Sequence, residues 1–141
     1  MAVFVIPAYN EEANIPRLLA DLESRPDLWR DGGWVILADD GSTDRTVEVA
    51  RAHEGDLPVE VLVAERNGGP GKAFDRGFRR ALAFCREDEL IVTLESDTTS
   101  DLDAVEAMMA AARAGADVVL ASHHGTGELA NVSAHRRFLS R

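Results

Sequence analysis

Residues 90–97 read Leu-Ile-Val-Thr-Leu-Glu-Ser-Asp. The apolar run 90–94 has the length and composition of a buried strand, and two carboxylates, Glu95 and Asp97, fall two apart where it ends. In an open α/β sheet that edge is where ligands bind. Two acidic side chains with one small residue between them, in a turn, can share a hard divalent cation that also holds a diphosphate. Acidic turns are also ordinary helix starts, and Ser96 and Ser100 could cap there. The meaning of the pair therefore depends on the rest of the chain.

Outward from that run, strands and helices alternate. Val3-Phe4-Val5-Ile6 is a short buried strand ended by Pro7. Ile15, Leu18, Leu19 and Leu22 then recur at i, i+3, i+4 and i+7, the spacing of one helix face. Asn14 stands at the N-cap, which puts Pro16 in the first turn, where proline is tolerated. Trp34-Val35-Ile36-Leu37-Ala38 is a second strand. Ser42 or Thr43 caps a helix that turns Val47 and Ala50 inward. Val59-Glu60-Val61-Leu62-Val63 is a third strand. A glycine-rich turn, residues 67–71, opens a helix with Phe74, Gly77, Phe78, Ala81 and Leu82 on one side. Leu102, Val105, Met108, Met109 and Ala112 mark the helix after the 90–94 strand, and Val118-Val119-Leu120-Ala121 reads as a fifth strand. Such alternation implies an α/β, Rossmann-like fold: a mainly parallel sheet, right-handed crossovers and helices on both faces. The strands are too apolar for a wet face.

Bulk properties narrow the function. At 141 residues the chain suits one domain, with 45% hydrophobic and 28% charged residues as in soluble globular proteins. No apolar run nears the ~18–20 residues that span a bilayer, and the start lacks the features of a signal peptide. One cysteine, Cys85, excludes a disulfide framework and points to a reducing cytoplasm. Placed on an apolar helix face, it reads as a structural thiol. The net charge of −10 argues against nucleic acid as a partner. Residues 123–141 differ, with three arginines and one glutamate, a net +2. They hold Gly125-Thr126-Gly127, a mobile loop, and then the start of a helix over 134–139. The chain stops within that pattern, uncapped, which reads as a truncated chain. The expected division is thus 1–122, one α/β domain, and 123–141, a loop and the start of an incomplete helix.

Four strand ends carry polar clusters, all expected at one edge of the sheet. Pro7-Ala8-Tyr9-Asn10-Glu11-Glu12 offers a ring and a carboxylate suited to a base and a ribose diol. In Asp39-Asp40-Gly41-Ser42-Thr43-Asp44 one aspartate can accept from a nucleobase imide N–H and another can approach a metal, although the same residues make good turn chemistry. In Arg66-Asn67-Gly68-Gly69-Pro70-Gly71-Lys72 the glycines let backbone approach phosphate, and Lys72 falls in a helix's first turn, where an anion is favoured. The spacing is not that of a P-loop. The fourth cluster is Glu95-Ser96-Asp97. His123 and His124 are neighbours that would point apart in extended chain, so one of them could contact a diphosphate or metal at this edge. His53 and His135 read as surface helix residues.

Together, the four clusters resemble those of family 2 glycosyltransferases of the GT-A fold, and in particular the polyprenyl-phosphate (dolichol-phosphate mannosyltransferase) branch. The matching order runs from residue 2 to about residue 122. The resemblance implies a nucleoside pocket lined by Pro7, Ala8, Tyr9 and Glu11, with Glu11 at the ribose. Leu37 and Asp39 would hold the base, Asp40 the metal edge or ribose, and Lys72 would lie near the nucleotide. Glu95 and Asp97 would stand where the family binds Mg²⁺ or Mn²⁺ on the diphosphate and would carry the catalytic role. Ser96 would contact the sugar nucleotide, and Arg136 or Arg137 would meet phosphate.

The implied reaction inverts the anomeric centre. It moves a sugar from a nucleoside-diphosphate sugar, GDP-mannose or a UDP-sugar, to an acceptor such as a polyprenyl phosphate at a membrane surface. The implied location is cytoplasmic, peripheral to the inner face of the membrane. Glu95 departs from the usual aspartate of the family's metal motif, His123-His124 stand where the branch often has a basic–aromatic pair, and the acceptor-side half is missing. A non-catalytic nucleotide-binding module is therefore the second reading. A nucleotidyltransferase, with a similar sheet, would open with a glycine-rich loop where this chain has Pro-Ala-Tyr-Asn-Glu.

Overall fold

The computed structural model describes residues 1–121. They divide into two compact units, 1–102 and a second that begins at Asp103. The first unit holds strands β1 (Ala2–Ala8), β2 (Trp34–Asp39), β3 (Val59–Val63) and β4 (Leu90–Thr93), with helices α1 (Ile15–Glu23), α2 (Pro26–Trp29), α3 (Thr46–Arg51) and α4 (Pro70–Leu82). Helix α5 (Leu102–Arg113) belongs to the second unit but for its first residue. The sheet order is β3-β2-β1-β4, every pair parallel, so the expected parallel α/β sheet is present. After β3 the chain returns to the far side of β1. The winding therefore reverses between β1 and β4, and a ligand crevice opens at such a switch point, beyond the carboxyl ends of the strands.

β1 and β2 form the centre. Val3, Phe4, Val5, Ile6, Val35, Ile36, Leu37 and Ala38 are fully buried, as a sheet covered on both faces requires. The outer strands are wetter than expected: β3 and β4 are only half-buried and Val63 is exposed, because an edge strand has a neighbour on one side only. β1 also runs on through Pro7 to Ala8 instead of ending at Pro7. Val5 gives its carbonyl to Leu94 N (3.3 Å) and Ala8 gives its carbonyl to Asp40 N (2.8 Å), so alternate residues of β1 face β4 and β2. Pro7 has the parity of Val5 and faces β4, where it has no N–H to donate. The β1–β4 register accordingly ends at Val5–Thr93, while the β1–β2 register continues to Ala8–Asp39. Proline costs the ladder one bond on the side where the Glu95–Asp97 turn leaves it.

Several local expectations change. Val118 and Leu120 are 75% and 84% exposed and lie in irregular backbone, not a fifth strand; an apolar run becomes a strand only beside a partner, and among the described residues it pairs with none. Leu82, at the last position of α4, is exposed. His53 lies beyond α3, half-buried and 3.4 Å from Glu23. Helix α2, unexpected from the pattern, starts at Pro26 and buries Trp29, whose Nε1 donates to the Leu22 carbonyl (2.9 Å). Cys85 lies past the end of α4, half-buried against the core. Burial, helped by Glu89, pushes its thiol pKa up, the opposite of what a nucleophile needs.

Helix α4 packs on the sheet through Ala73, Gly77 and Ala81. A Cβ on Gly77 would lie 2.4 Å from Val5 Cγ1, and Val5 is a stiff β-branched residue in the fully buried β1. At an exposed helical site alanine gains up to ~1 kcal/mol over glycine; here overpacking of about 1–3 kcal/mol opposes it. Gly77→Ala is expected to lower the denaturant midpoint without changing the m-value, and a midpoint equal to or above the parent's would show that helix and strand are not packed this closely.

Candidate functional site

The end of β2 sets the site. Asp39 is fully buried and Asp40 3% exposed, an expensive place for two carboxylates unless each is given donors. Asp39 Oδ2 accepts from the amides of Gly41 (3.0 Å) and Ser42 (3.1 Å). Gly41 has a φ of +74°, and a Cβ there would lie 2.7 Å from the carbonyl carbon of Arg66, so only glycine fits where this turn meets the glycine-rich loop. Asp40 Oδ2 accepts from the amides of Gly68 (2.9 Å) and Gly69 (2.6 Å). Those glycine amides, expected to approach phosphate, are thus committed to Asp40, and the carboxylate expected at the metal edge or ribose is committed to the loop. The second oxygen of each, Asp39 Oδ1 and Asp40 Oδ1, is buried with no hydrogen-bond partner, and Asp40 Oδ1 faces Arg76 Nη2 at 3.9 Å.

The loop after β1 is laced to the loop after β2. Asn10, in the left-handed region at φ +57°, donates its amide to Ser42 Oγ (2.9 Å) and accepts at Oδ1 from Thr43 N (2.9 Å). Glu11 N donates to Thr46 Oγ1 (2.7 Å), Glu12 N to Asp44 Oδ2 (3.2 Å), and Arg45 N to Glu12 Oε2 (2.8 Å). The expected caps therefore do other work. Ser42 braces the first loop, and α3 starts at Thr46, whose amide donates to Asp44 Oδ1 (2.9 Å). Asn14 makes no cap bond and donates Nδ2 to Glu11 Oε2 (2.7 Å). The lacing fixes the strand ends that present Pro7, Ala8, Tyr9 and Glu11. Tyr9 is 44% exposed, while Leu37 is wholly buried within β2.

At the end of β4, Thr98 has a φ of +59° and turns the chain so that Thr99 lies beside both carboxylates. Its Oγ1 is 2.6 Å from Asp97 Oδ1 and 3.4 Å from Glu95 Oε2. One hydroxyl has one proton, so the shorter contact is the bond and the longer one measures how near Glu95 stands. Ser96, between them, is buried. Among the described residues no group of three or more His, Cys, Asp or Glu could hold a metal ion. Two hard carboxylates at one turn nonetheless fit Mg²⁺ or Mn²⁺ when phosphate oxygens complete the shell. Lys72 is exposed, its side chain folded over Gly68. Arg136, Arg137, His123, His124 and His135, with the 125–127 loop, the 134–139 helix and the 122/123 boundary, lie outside the described residues.

Residues 3–139 match the family described as Glycosyl transferase family 2. The chain belongs to glycosyl transferase family 2. It is 34% identical over 117 residues to an undecaprenyl-phosphate 4-deoxy-4-formamido-L-arabinose transferase of Pseudomonas fluorescens, covering 82% of this chain and 33% of that protein. The same-named transferase of Aeromonas hydrophila is 38% identical over 118 residues, with 82% and 34% covered. The chain thus spans about a third of the length of these curated family 2 relatives. Among solved structures it resembles S. aureus TarS 1-349 in complex with UDP, with a TM-score of 0.60, 27% identity, and 78% of this chain and 32% of that one covered. The GT-A fold expected from the strand-end motifs is thereby shown.

Three residues central to this site were not singled out from sequence: Asn10, Thr46 and Arg76. Asn10 stands in a loop and Thr46 at the first position of α3, where any polar residue looks ordinary. Arg76 carried a signal, a charge beside the inward-facing Gly77 of α4.

The lacing predicts an acid response. Burial raises the Asp44 carboxyl pKa, but bonds from the Thr46 hydroxyl, the Thr46 amide and the Glu12 amide outweigh it and hold the pKa low. A carboxylate lowered on folding contributes stability above its unfolded value, and that contribution disappears as pH falls through the folded value. Stability is expected to decline below about pH 4, with a shallower decline in Asp44→Asn. Thr46→Val, which strands Glu11 N and leaves Asp44 Oδ1 only the residue-46 amide, should cost about 1–3 kcal/mol, and Thr46→Ser much less, in urea titrations at neutral pH. Equal costs for the two Thr46 variants would dismiss the hydroxyl as the brace.

Proposed function

We propose that this chain is the donor-binding part of an inverting glycosyltransferase that takes a sugar from a UDP-sugar and transfers it to a polyprenyl phosphate at the cytoplasmic face of a membrane. The observation that carries the donor reading is the orphaned Asp39 Oδ1. A buried acceptor without a donor is costly, and a nucleobase imide N–H would satisfy it. Because the other oxygen of Asp39 is committed to Gly41 and Ser42, one acceptor remains. Uracil offers one imide donor, whereas guanine offers two side by side on its pairing edge. That favours a UDP-sugar over GDP-mannose, and TarS with UDP supports the same base.

Tyr9 would stack on the base and Glu11 would meet the ribose, both held by the lacing of the first two loops. Ser96 would contact the sugar nucleotide, and Lys72 and Arg136 are assigned to its phosphates. Glu95 and Asp97 would hold Mg²⁺ or Mn²⁺, which supplies Lewis-acid stabilisation of the charge that develops on the departing diphosphate. An acceptor oxygen attacks the anomeric carbon, the bond to the β-phosphate oxygen breaks, and UDP leaves with the electron pair. A phosphate acceptor is already ionised near neutral pH, so no protein base is required. The undecaprenyl-phosphate transferases among the relatives favour that acceptor class. Among the described residues no helix is long and apolar enough to cross a membrane, so this part of the chain would meet the lipid from outside.

Calorimetric titration with UDP and GDP, in Mn²⁺ and then in EDTA, tests the reading. UDP should bind more tightly than GDP, and the metal should increase its affinity. Asp39→Asn should weaken UDP about tenfold to a hundredfold, as expected for a buried acceptor lost to an imide donor. Glu95→Ala/Asp97→Ala should abolish the metal increment and leave the metal-free affinity. Equal affinity for GDP would remove the uracil assignment, and absence of nucleotide binding would remove the donor site.

A further inference from the structure

Arg76 stands in the second turn of α4 with its guanidinium turned toward the end of β2. Its Nη2 donates to the Asp39 carbonyl (2.7 Å), which also accepts from Ala64 N (3.0 Å). The same nitrogen is 3.9 Å from Asp40 Oδ1, a buried oxygen with no hydrogen bond. The other oxygen of Asp40 holds Gly68 and Gly69, the residues directly before α4. A ring therefore closes, from α4 through Arg76 to Asp40 and back through the loop that opens the same helix. The Asp40 carboxylate, 3% exposed, faces this cation, and the Asp39 backbone carbonyl accepts from it; a buried charge left without its partner is strongly destabilised. Moving the loop also moves Asp39, because the backbone of Arg66 and Asn67 touches Gly41, and the Gly41 amide holds Asp39 Oδ2.

The geometry points to Arg76 as a positioning residue of the donor site: through Asp40 it holds the glycine-rich loop, residues 67–71, against the end of β2, so that Asp39 is presented for the base. This rests on the donor reading above. The guanidinium fork can meet a carbonyl and face a carboxylate at once, which a lysine ammonium does less well. Arg76 touches no substrate in this account and acts through Asp40 and the loop.

The test combines amide hydrogen exchange at Gly68 and Gly69 with UDP titration. In Arg76→Met both amides should exchange at least about tenfold faster and UDP should bind about tenfold more weakly, as when one partner of a buried charge pair is truncated. Arg76→Lys should fall between parent and Arg76→Met. Asp40→Asn keeps an oxygen for the two amides but loses the charge that faces Arg76, so they should exchange faster, and the double variant should be no worse than Asp40→Asn alone, because both substitutions weaken one ring. Arg79→Ala, which breaks an exposed pair with Asp75 on the same helix, should change neither readout. Unchanged Gly68 and Gly69 exchange in a folded Arg76→Met, or additive effects in the double variant, would overturn the proposal. If Arg76→Met does not fold, Arg76→Lys with and without Asp40→Asn decides by the same criterion. If the parent itself fails to bind UDP, the donor reading is what fails, and the Gly68 and Gly69 exchange rates still decide the clamp: acceleration supports it, parity overturns it.

Discussion

Two carboxylates at the end of β2 are buried, and burial is tolerated only if each is given donors. Asp39 takes the amides of its own turn and Asp40 takes those of Gly68 and Gly69. Because the second set comes from the loop before α4, the demand of one side chain joins two segments 28 residues apart. The loop after β1 is then drawn in through Asn10, Glu11 and Glu12, which share partners with Ser42, Thr43, Asp44 and Thr46. Three of the four strand ends are thereby fixed with little dependence on apolar packing. Two oxygens are left without hydrogen bonds: Asp40 Oδ1 faces Arg76 at 3.9 Å, and the functional reading rests on the other, Asp39 Oδ1.

Topology supplies the fourth strand end. With the order β3-β2-β1-β4 the crevice opens beside β1, and the acidic turn after β4 lies on its far side. Pro7 sharpens the division. Facing β4 without an N–H, it lets β1 continue along β2 while the β4 ladder stops. The β4 chain is then able to turn at Glu95–Asp97, and the left-handed Thr98 completes the turn. The Thr99 hydroxyl bonds Asp97 and lies 3.4 Å from Glu95, so the turn brings both carboxylates beside one side chain.

Much of this was legible beforehand. The apolar runs of β1, β2 and β4 and the helical spacing of Ile15, Leu18, Leu19 and Leu22 are periodic signals, and periodicity survives translation into structure because burial enforces it. Residue types at strand ends were equally readable: Tyr9, Asp39, Asp40, Lys72, Glu95 and Asp97 were each placed at one edge. Less readable was what each polar group bonds to. Ser42 and Asn14 look like helix caps, yet Ser42 braces a loop and Asn14 holds Glu11. Val118-Val119-Leu120-Ala121 looks like a strand, but a strand is a property of a pair, and the partner is not written in the run itself.

By itself the sequence determined the parallel α/β sheet, the edge at which polar chemistry collects and the family, because these follow from local periodicity and from the order of short motifs. Only the tertiary structure decided how that chemistry is allotted. It separated Asp39, with one oxygen on the amides of its own turn and the other without a hydrogen bond, from Asp40, with one oxygen on the glycine-rich loop and the other facing Arg76 at 3.9 Å, though the two are adjacent and identical in type. It also placed Arg76 against the Asp39 carbonyl and Asp40. The reason is that hydrogen bonds between distant segments depend on angstrom-scale distances and on which lone pairs remain, and neither is encoded in any local pattern of residues.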